Sequence, residues 1–232
     1  MLEALSAASN IAALAALEAS AKAAFDALAK DLSAKRKFAA AELGHRVSAM
    51  MAGLAMAGGR VEVALAPLTE PASFGLESVE FLTATHPKQA LGPLSRVASG
   101  GELSRLGLAI QVVLSEVATV PTLIFDEVDA GIGGGVAAAV ASLLRQVGVR
   151  RQVLCVTHLP QVAACADAHC RVAKKTRKNA VSTELAQLGG AERIEEIARM
   201  LGGHDITAKT RAHARELLLQ SRPASAKPGR KG

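Results

Sequence analysis

Two short apolar runs constrain this 232-residue chain most. Leu123-Ile124-Phe125 ends in the paired acids Asp126-Glu127, and Val153-Leu154-Cys155-Val156 ends in Thr157-His158. Strands of that kind, apolar on both faces, belong to parallel sheets covered on both sides. Between them Gly133 to Val147 has the spacing of a helix. Strand, helix and strand make a βαβ crossover, so the chain reads as an α/β protein with a parallel sheet and flanking helices. The carboxyl ends of such strands are where α/β sheets place their ligands, and the acids and the histidine stand there.

The rest of the chain is arranged around that unit. Residues 1–52 read as one long helix, about 75 Å at roughly 1.5 Å per residue. Leu14, Leu17, Ala21, Phe25, Leu28, Leu32, Ala39, Leu43 and Val47 form an a/d-like stripe that needs a partner helix. No second long heptad segment follows, so the partner is expected outside this sequence; an ordinary long core helix is the alternative. Arg60 to Leu65 and Leu76 to Thr83 read as strands, with Pro67 and Pro71 marking a turn region and Val79, Phe81 and Thr83 facing one way. Gly101 to about Val117 reads as a helix with Leu103, Leu106, Ile110, Val113 and Leu114 inward. Pro160 to Ala166 is a short helix. His169 to Lys174 and Ser182 to Leu188 suit an antiparallel pair, and Ala191 to Leu201 and Thr207 to Gln220 two more helices. Residues 222–232, rich in Pro, Ser, Lys and Gly, read as a disordered basic tail.

Composition excludes some functions. There is no Trp or Tyr, which argues against a stacking platform for single-stranded nucleic acid. The net charge of +6 is partly local, in Arg171, Lys174, Lys175, Arg177 and Lys178 and again in Arg222, Lys227, Arg230 and Lys231. These clusters are candidates for DNA phosphates, although a charge run is most often a solvated face. Three cysteines without C-x-x-C spacing fit a reducing cytoplasm. His158, Cys165, His169 and Cys170 match no standard zinc spacing. No apolar run reaches a membrane span, so no membrane partner is expected.

Ser99-Gly100-Gly101-Glu102 opens a helical pattern. Its plain reading is a capping box, Ser99 capping and Glu102 reaching back. The two glycines add unshielded backbone N–H groups at a helix N-terminus, where an anion is welcome. Asp126 is suited to Mg²⁺, directly or through water. Glu127 is suited to general-base work on a water, and neighbouring strand residues point apart, so one acid can do each task. A solvated acidic turn is the plain alternative for this pair, and a structural histidine for His158. The sequence contains no G-x-x-x-x-G-K-S/T phosphate loop, and Gly133-Gly134-Gly135 lacks the Lys-Ser/Thr sequel.

Val97-Ala98-Ser99-Gly100-Gly101-Glu102-Leu103-Ser104-Arg105 resembles the signature motif of ABC-type ATPases. Together with Val79-Glu80-Phe81-Leu82, Pro93-Leu94, Phe125-Asp126-Glu127-Val128-Asp129-Ala130-Gly131-Ile132 and Val156-Thr157-His158-Leu159-Pro160-Gln161-Val162-Ala163, it resembles the RecN family of bacterial DNA repair proteins, from about Leu32 to Leu218. Those are SMC-like ATPases with a coiled-coil arm between two halves of the head. The resemblance implies the C-terminal lobe of an ABC/SMC-type head (residues 53–221) behind a descending arm helix (1–52), with ATP and Mg²⁺ as ligands. It implies that Ser99, Gly100, Gly101 and Glu102 meet nucleotide in trans and that Asp126 supports Mg²⁺. Glu127 would be the base, His158 would hydrogen-bond the γ-phosphate and orient the water, and Asp129 would cross between two heads. It further implies an N-terminal P-loop half, a second head, DNA as partner, work in double-strand break repair and recombination, and a cytoplasmic, nucleoid-associated place. Without the P-loop the chain alone is expected to be inactive. A non-enzymatic assembly module, or the head of another SMC-like protein, remains the alternative.

Overall fold

The computed structural model describes residues 2–96, 99–115, 117, 120–177, 180–203 and 205–221, with backbone alone over 2–9, 175–177 and 180–181. The flank Val97-Ala98, Lys178, the side chains of Lys175 and Arg177, and the whole 222–232 tail with Arg222, Lys227, Arg230 and Lys231 lie outside the described residues.

Helix α1 spans Leu2–Met51 and ends in a short 3-10 turn, Ala52–Leu54. It is followed by an antiparallel hairpin, β1 Arg60–Ala72 and β2 Gly75–Ala84, with a two-residue β3, Gly92–Pro93, on the far edge of β2. The hairpin lies along the C-terminal half of α1. Val61 is buried against Val47, Met51 and Leu54, and Gly44 makes the approach possible, since a Cβ there would stand 2.9 Å from the Val61 carbonyl oxygen. Farther out, Arg36 donates to the Phe74 carbonyl at 2.8 Å and pairs with Glu77 at 3.4 Å.

The expected turn at Pro67 and Pro71 is instead the far part of β1, where the register shifts between Pro67 and Ala72. Among the described residues strand β1 pairs only with β2 and is an edge strand, and an edge tolerates residues that lack an N–H. Val79, Phe81 and Thr83 stand at alternate positions of an unbroken register and so face one way, with burial rising along that face: Val79 is exposed, Phe81 half-buried and Thr83 buried.

Helix α1 shows two stripes. Ala29, Ser33, Val47 and Met51 face the hairpin and the core and are buried. The adjacent stripe of the heptad pattern, Leu14, Leu17, Leu28 and Leu32, is exposed along its length.

The main core forms where the end of α1 meets α2 (Gly100–Val113), β4 (Thr122–Phe125) and α3 (Gly134–Gly148). Helix α2 is shorter than the sequence pattern suggests. Leu106, Leu108, Ala109 and Val112 are its buried hydrophobic residues, while Leu103, expected inward, is exposed. Strand β4 pairs in parallel with β5 (Gln152–Cys155), Phe125 opposite Cys155, which completes the βαβ unit. Helix α3 covers one face of this pair. The other face is open, against the expectation of two covered faces: Ile124 is 73% exposed and Val156 63%, and Leu154 is exposed beside them. The apolar character of both faces was legible; the layer that would cover the second is not among the described residues.

Helix α4 (Pro160–Cys165) leads to hairpin β6 (Cys170–Arg177) and β7 (Ala180–Gln187), then α5 (Gly190–Gly202) and α6 (Ala208–Gln220). Ala163, Ala164, Ile197, Ala198 and Ala214 form a second small core. Arg193 holds α5 to the end of α4 through the carbonyls of Ala163, Ala164 and Ala166. No helix among the described residues is long and apolar enough to cross a membrane.

Candidate functional site

Ser99 is the N-cap of α2. Its backbone is extended and its hydroxyl accepts from the Glu102 N–H at 3.4 Å. That half of the expected capping box forms. The return half does not form: the half-buried Glu102 side chain turns towards His86 instead, its Oε1 3.8 Å from His86 Nε2. Gly100 is exposed and Gly101 buried, so in the first turn of this fourteen-residue helix it is Gly100 that reaches the surface.

At the end of β4, Asp126 and Glu127 are both exposed. Glu127 holds φ at +56°, in the left-handed region that a residue with a side chain rarely adopts. Such a position costs on the order of 1–3 kcal/mol and persists only where its surroundings enforce it. Here Asp126 Oδ1 accepts the Glu127 N–H at 3.0 Å, and the Ala130 N–H donates to the Glu127 carbonyl at 3.0 Å, closing the turn. The turn throws the Glu127 side chain towards α2. A Cβ at Gly100 would stand 3.0 Å from Glu127 Oε2, so the candidate base and the glycine cap face each other directly.

The same turn carries Asp129 inward. It is 2% exposed, and its Oδ2 accepts from the Thr157 hydroxyl, from His158 N–H at 3.1 Å and from Leu159 N–H at 3.3 Å. His158 Nδ1 lies 3.4 Å from the same oxygen, while the His158 side chain is 67% exposed. Asp129 thus ties the end of β5 to the turn after β4, with its carboxylate engaged inside its own chain.

Sequence reasoning gave no role to Arg105. It is almost wholly buried, and its Nε donates to the Leu54 carbonyl at 3.0 Å and its Nη1 to the Ala130 carbonyl at 2.9 Å. Burial pulls the guanidinium below its ordinary value, and Glu102 pushes the other way. Its signal was a lone cation on the inward side of an apolar helical pattern. Thr157 was likewise visible only as part of a string. Burial, then the nearby Asp129 and Asp126 carboxylates, push the Cys155 thiol up to about 12.

The structure therefore brings Ser99, Gly100, Gly101, Asp126, Glu127, Asp129 and His158 to one end of the parallel pair. The set fits a nucleotide with its metal. A helix N-terminus that opens on two glycines suits a phosphate, and an exposed carboxylate at a strand end suits Mg²⁺. Of the basic cluster, Lys174 is exposed and Arg171 lies 3.8 Å from Glu196 of α5.

No family model matches the chain. Curated sequences are similar over most of it. It is 45% identical over 196 residues to the DNA repair protein RecN of Vibrio cholerae, covering 84% of this chain and 35% of that protein. It is 48% identical over 187 residues to the RecN of Deinococcus radiodurans, covering 81% and 33%. The chain spans about a third of the length of the curated relatives it matches. Among solved structures, the Smc head domain with a coiled coil and joint from Pyrococcus yayanosii superposes with a TM-score of 0.51 at 20% identity. That likeness covers 70% of this chain and 29% of that one, and it is one of fold.

Proposed function

From the premise that the chain belongs to the RecN family of SMC-like proteins, we propose that it is the part of an ATPase head that carries the signature surface, the metal-side acid, the base and the histidine. In the complete protein it would act in DNA double-strand break repair and recombination. The observation that carries this reading is the facing of Gly100 and Glu127 Oε2 at the start of α2 and the end of β4. The start of α2 and the proton acceptor are thereby held side by side, one on α2 and the other on the turn after β4.

In this mechanism Asp126 would hold Mg²⁺ at the end of β4, and the metal, when bound with ATP, would offset the charge on the phosphoryl group. The Glu127 carboxylate takes a proton from the attacking water. Ser99 and the amides of Gly100 and Gly101 contact the γ-phosphate of a nucleotide held by the opposite head, and His158 stands at the γ-phosphate side of its own. ATP then favours the joined state of two heads because it binds that state better than the separate one. Asp129 belongs to the head interface in this reading, which requires its carboxylate or its turn to serve both the inner contacts and the partner.

Two apolar surfaces support a need for further protein. The open face of β4–β5, with Ile124, Leu154 and Val156, suits a P-loop lobe. The stripe of Leu14, Leu17 and Leu28 suits a second arm helix. The same two surfaces favour the second reading, a non-enzymatic assembly module.

Hydrolysis measured with this chain alone, and then with a P-loop-bearing N-terminal half supplied, separates the two. We expect turnover only in the mixture. Glu127→Gln should slow it by roughly 10²–10⁴-fold with ATP binding kept, and Ser99→Arg should abolish ATP-dependent dimerisation with binding to the P-loop half kept. A mixture that binds ATP and shows turnover indifferent to Glu127→Gln leaves only the assembly module.

A further inference from the structure

Asp129 and Thr157 stand out among the residues of the site because neither has a place in the chemistry, yet both are enclosed by it. Four groups of one segment converge on a single oxygen, Asp129 Oδ2: the Thr157 hydroxyl, the His158 and Leu159 N–H groups, and the His158 ring at Nδ1. The Thr157 hydroxyl has one proton, which goes to Asp129. Its own oxygen accepts the Leu159 N–H at 3.0 Å. Thr157 is therefore the keystone of the group: it both donates to the carboxylate and fixes the backbone that follows.

The consequence concerns the histidine ring. A carboxylate 3.4 Å from Nδ1 favours a proton on that nitrogen, because an unprotonated Nδ1 would turn a lone pair towards an anion. The ring is otherwise open to solvent, so little else chooses between its two neutral forms. A proton at Nδ1 leaves Nε2 with its lone pair in the neutral ring.

We propose that Asp129, held in place by Thr157, is a positioning residue that fixes His158 in its Nδ1–H tautomer and makes Nε2 the nitrogen that meets the ligand. This rests on the reading of His158 as a residue of the nucleotide site. It sharpens that reading, because phosphate oxygens are acceptors. A neutral His158 then has nothing to donate to phosphate and instead accepts a hydrogen bond at Nε2, as from the attacking water. It reaches a phosphate oxygen as a donor only when both ring nitrogens carry protons, with Asp129 as the counter-ion at Nδ1.

The test needs neither nucleotide nor turnover. The full 232-residue chain is labelled with ¹⁵N-histidine, and two-bond ¹H–¹⁵N correlations are recorded where the imidazoles are neutral. The signal missing from His158→Gln identifies the ring among the six histidines. Wild type should show a protonated Nδ1 and an unprotonated Nε2. Thr157→Val should move His158 to the averaged pattern of a free imidazole, and Thr157→Ser should restore the fixed one. The five other histidine signals report whether each variant is folded. An Nε2–H or averaged pattern in wild type overturns the proposal, as does a folded Thr157→Val chain with the wild-type pattern. A fixed tautomer in a chain that never supports hydrolysis with its P-loop half keeps the clamp and removes the nucleotide reading.

Discussion

Arg105 Nη1 lies 2.9 Å from the carbonyl oxygen of Ala130, which bolts the helix that begins at Ser99 to the turn that follows Asp126 and Glu127. The same guanidinium reaches the Leu54 carbonyl at the end of the long helix. One side chain thus joins arm, signature helix and acidic turn, and a displacement of any one is felt by the others. Replacing it with methionine keeps much of the packing and leaves two carbonyls without their donors. Arg105→Met should lower the unfolding free energy by about 2–6 kcal/mol, at 1–3 kcal/mol for each of the two buried carbonyls left unsatisfied. Urea denaturation of the chain measures this, and a midpoint unchanged from wild type would show that water replaces the guanidinium at no cost.

The two glycines of the cap should respond differently to alanine. A Cβ at Gly101 would stand 3.1 Å from the Ala130 Cβ, from its carbonyl oxygen and from Arg105 Nη1, all parts of the same bolted joint. None of these gives way cheaply, so Gly101→Ala should cost about 1–3 kcal/mol, as overpacking does. A Cβ at Gly100 meets only Glu127 Oε2, the free end of a flexible side chain. Gly100→Ala should be close to neutral in thermal unfolding while displacing the Glu127 carboxylate. Equal losses at the two positions would mean that the joint is looser than its distances indicate.

How much of this site could be read from the chain differs residue by residue. The places of Ser99, Asp126 and Glu127 followed from periodicity, since each adjoins the end or start of an element, whereas His158 stands beyond the end of β5 at Cys155 although the apolar run continues to Val156. The inward turn of Asp129 did not follow. Spacing gives its distance along the chain from Asp126, but the positive φ of Glu127 decides where it points. Arg105 was hidden for a related reason: its partners are backbone carbonyls from segments 51 and 25 residues away, and a carbonyl leaves no trace in a sequence. The prolines of β1 misled because the rule that excludes them holds for central strands.

The second core should weaken in acid. His169, at the start of the β6–β7 hairpin, has its Nδ1 buried without a hydrogen-bond partner among the described residues. Burial first and Arg193 next hold its pKa below the ordinary value of 6.5, against a smaller pull from Glu196. A lowered histidine pKa contributes stability above about pH 6.5, and that contribution is lost as pH falls through the folded value. His169→Gln should flatten this part of the stability–pH curve. Amide exchange over residues 163–201, compared at pH 7.5 and at about pH 5.5, follows it locally; protection that persists unchanged in acid would remove His169 as its cause.

Cys155 tests the electrostatics of the acidic end of the sheet itself. Its thiol is pushed up to about 12 by burial first and then by Asp129 and Asp126, so at neutral or mildly alkaline pH it has almost no thiolate. Cys170 is exposed. Iodoacetamide at about pH 8, near the unperturbed thiol range, should modify Cys170 quickly and leave Cys155 intact, as read by peptide mass spectrometry. The linkage has the matching sign. A raised thiol pKa contributes stability that is complete below the ordinary value of 9.0 and is lost as pH climbs towards about 12. Removing one of the two charges separates the causes. Asp126→Asn leaves the burial unchanged and takes away the weaker of the two acids, so Cys155 should gain only a little reactivity. Asp129→Asn removes the stronger, and the gain should be larger. If neither variant changes the labelling rate, burial alone protects the thiol, and the field of the two carboxylates does not reach across the end of β5.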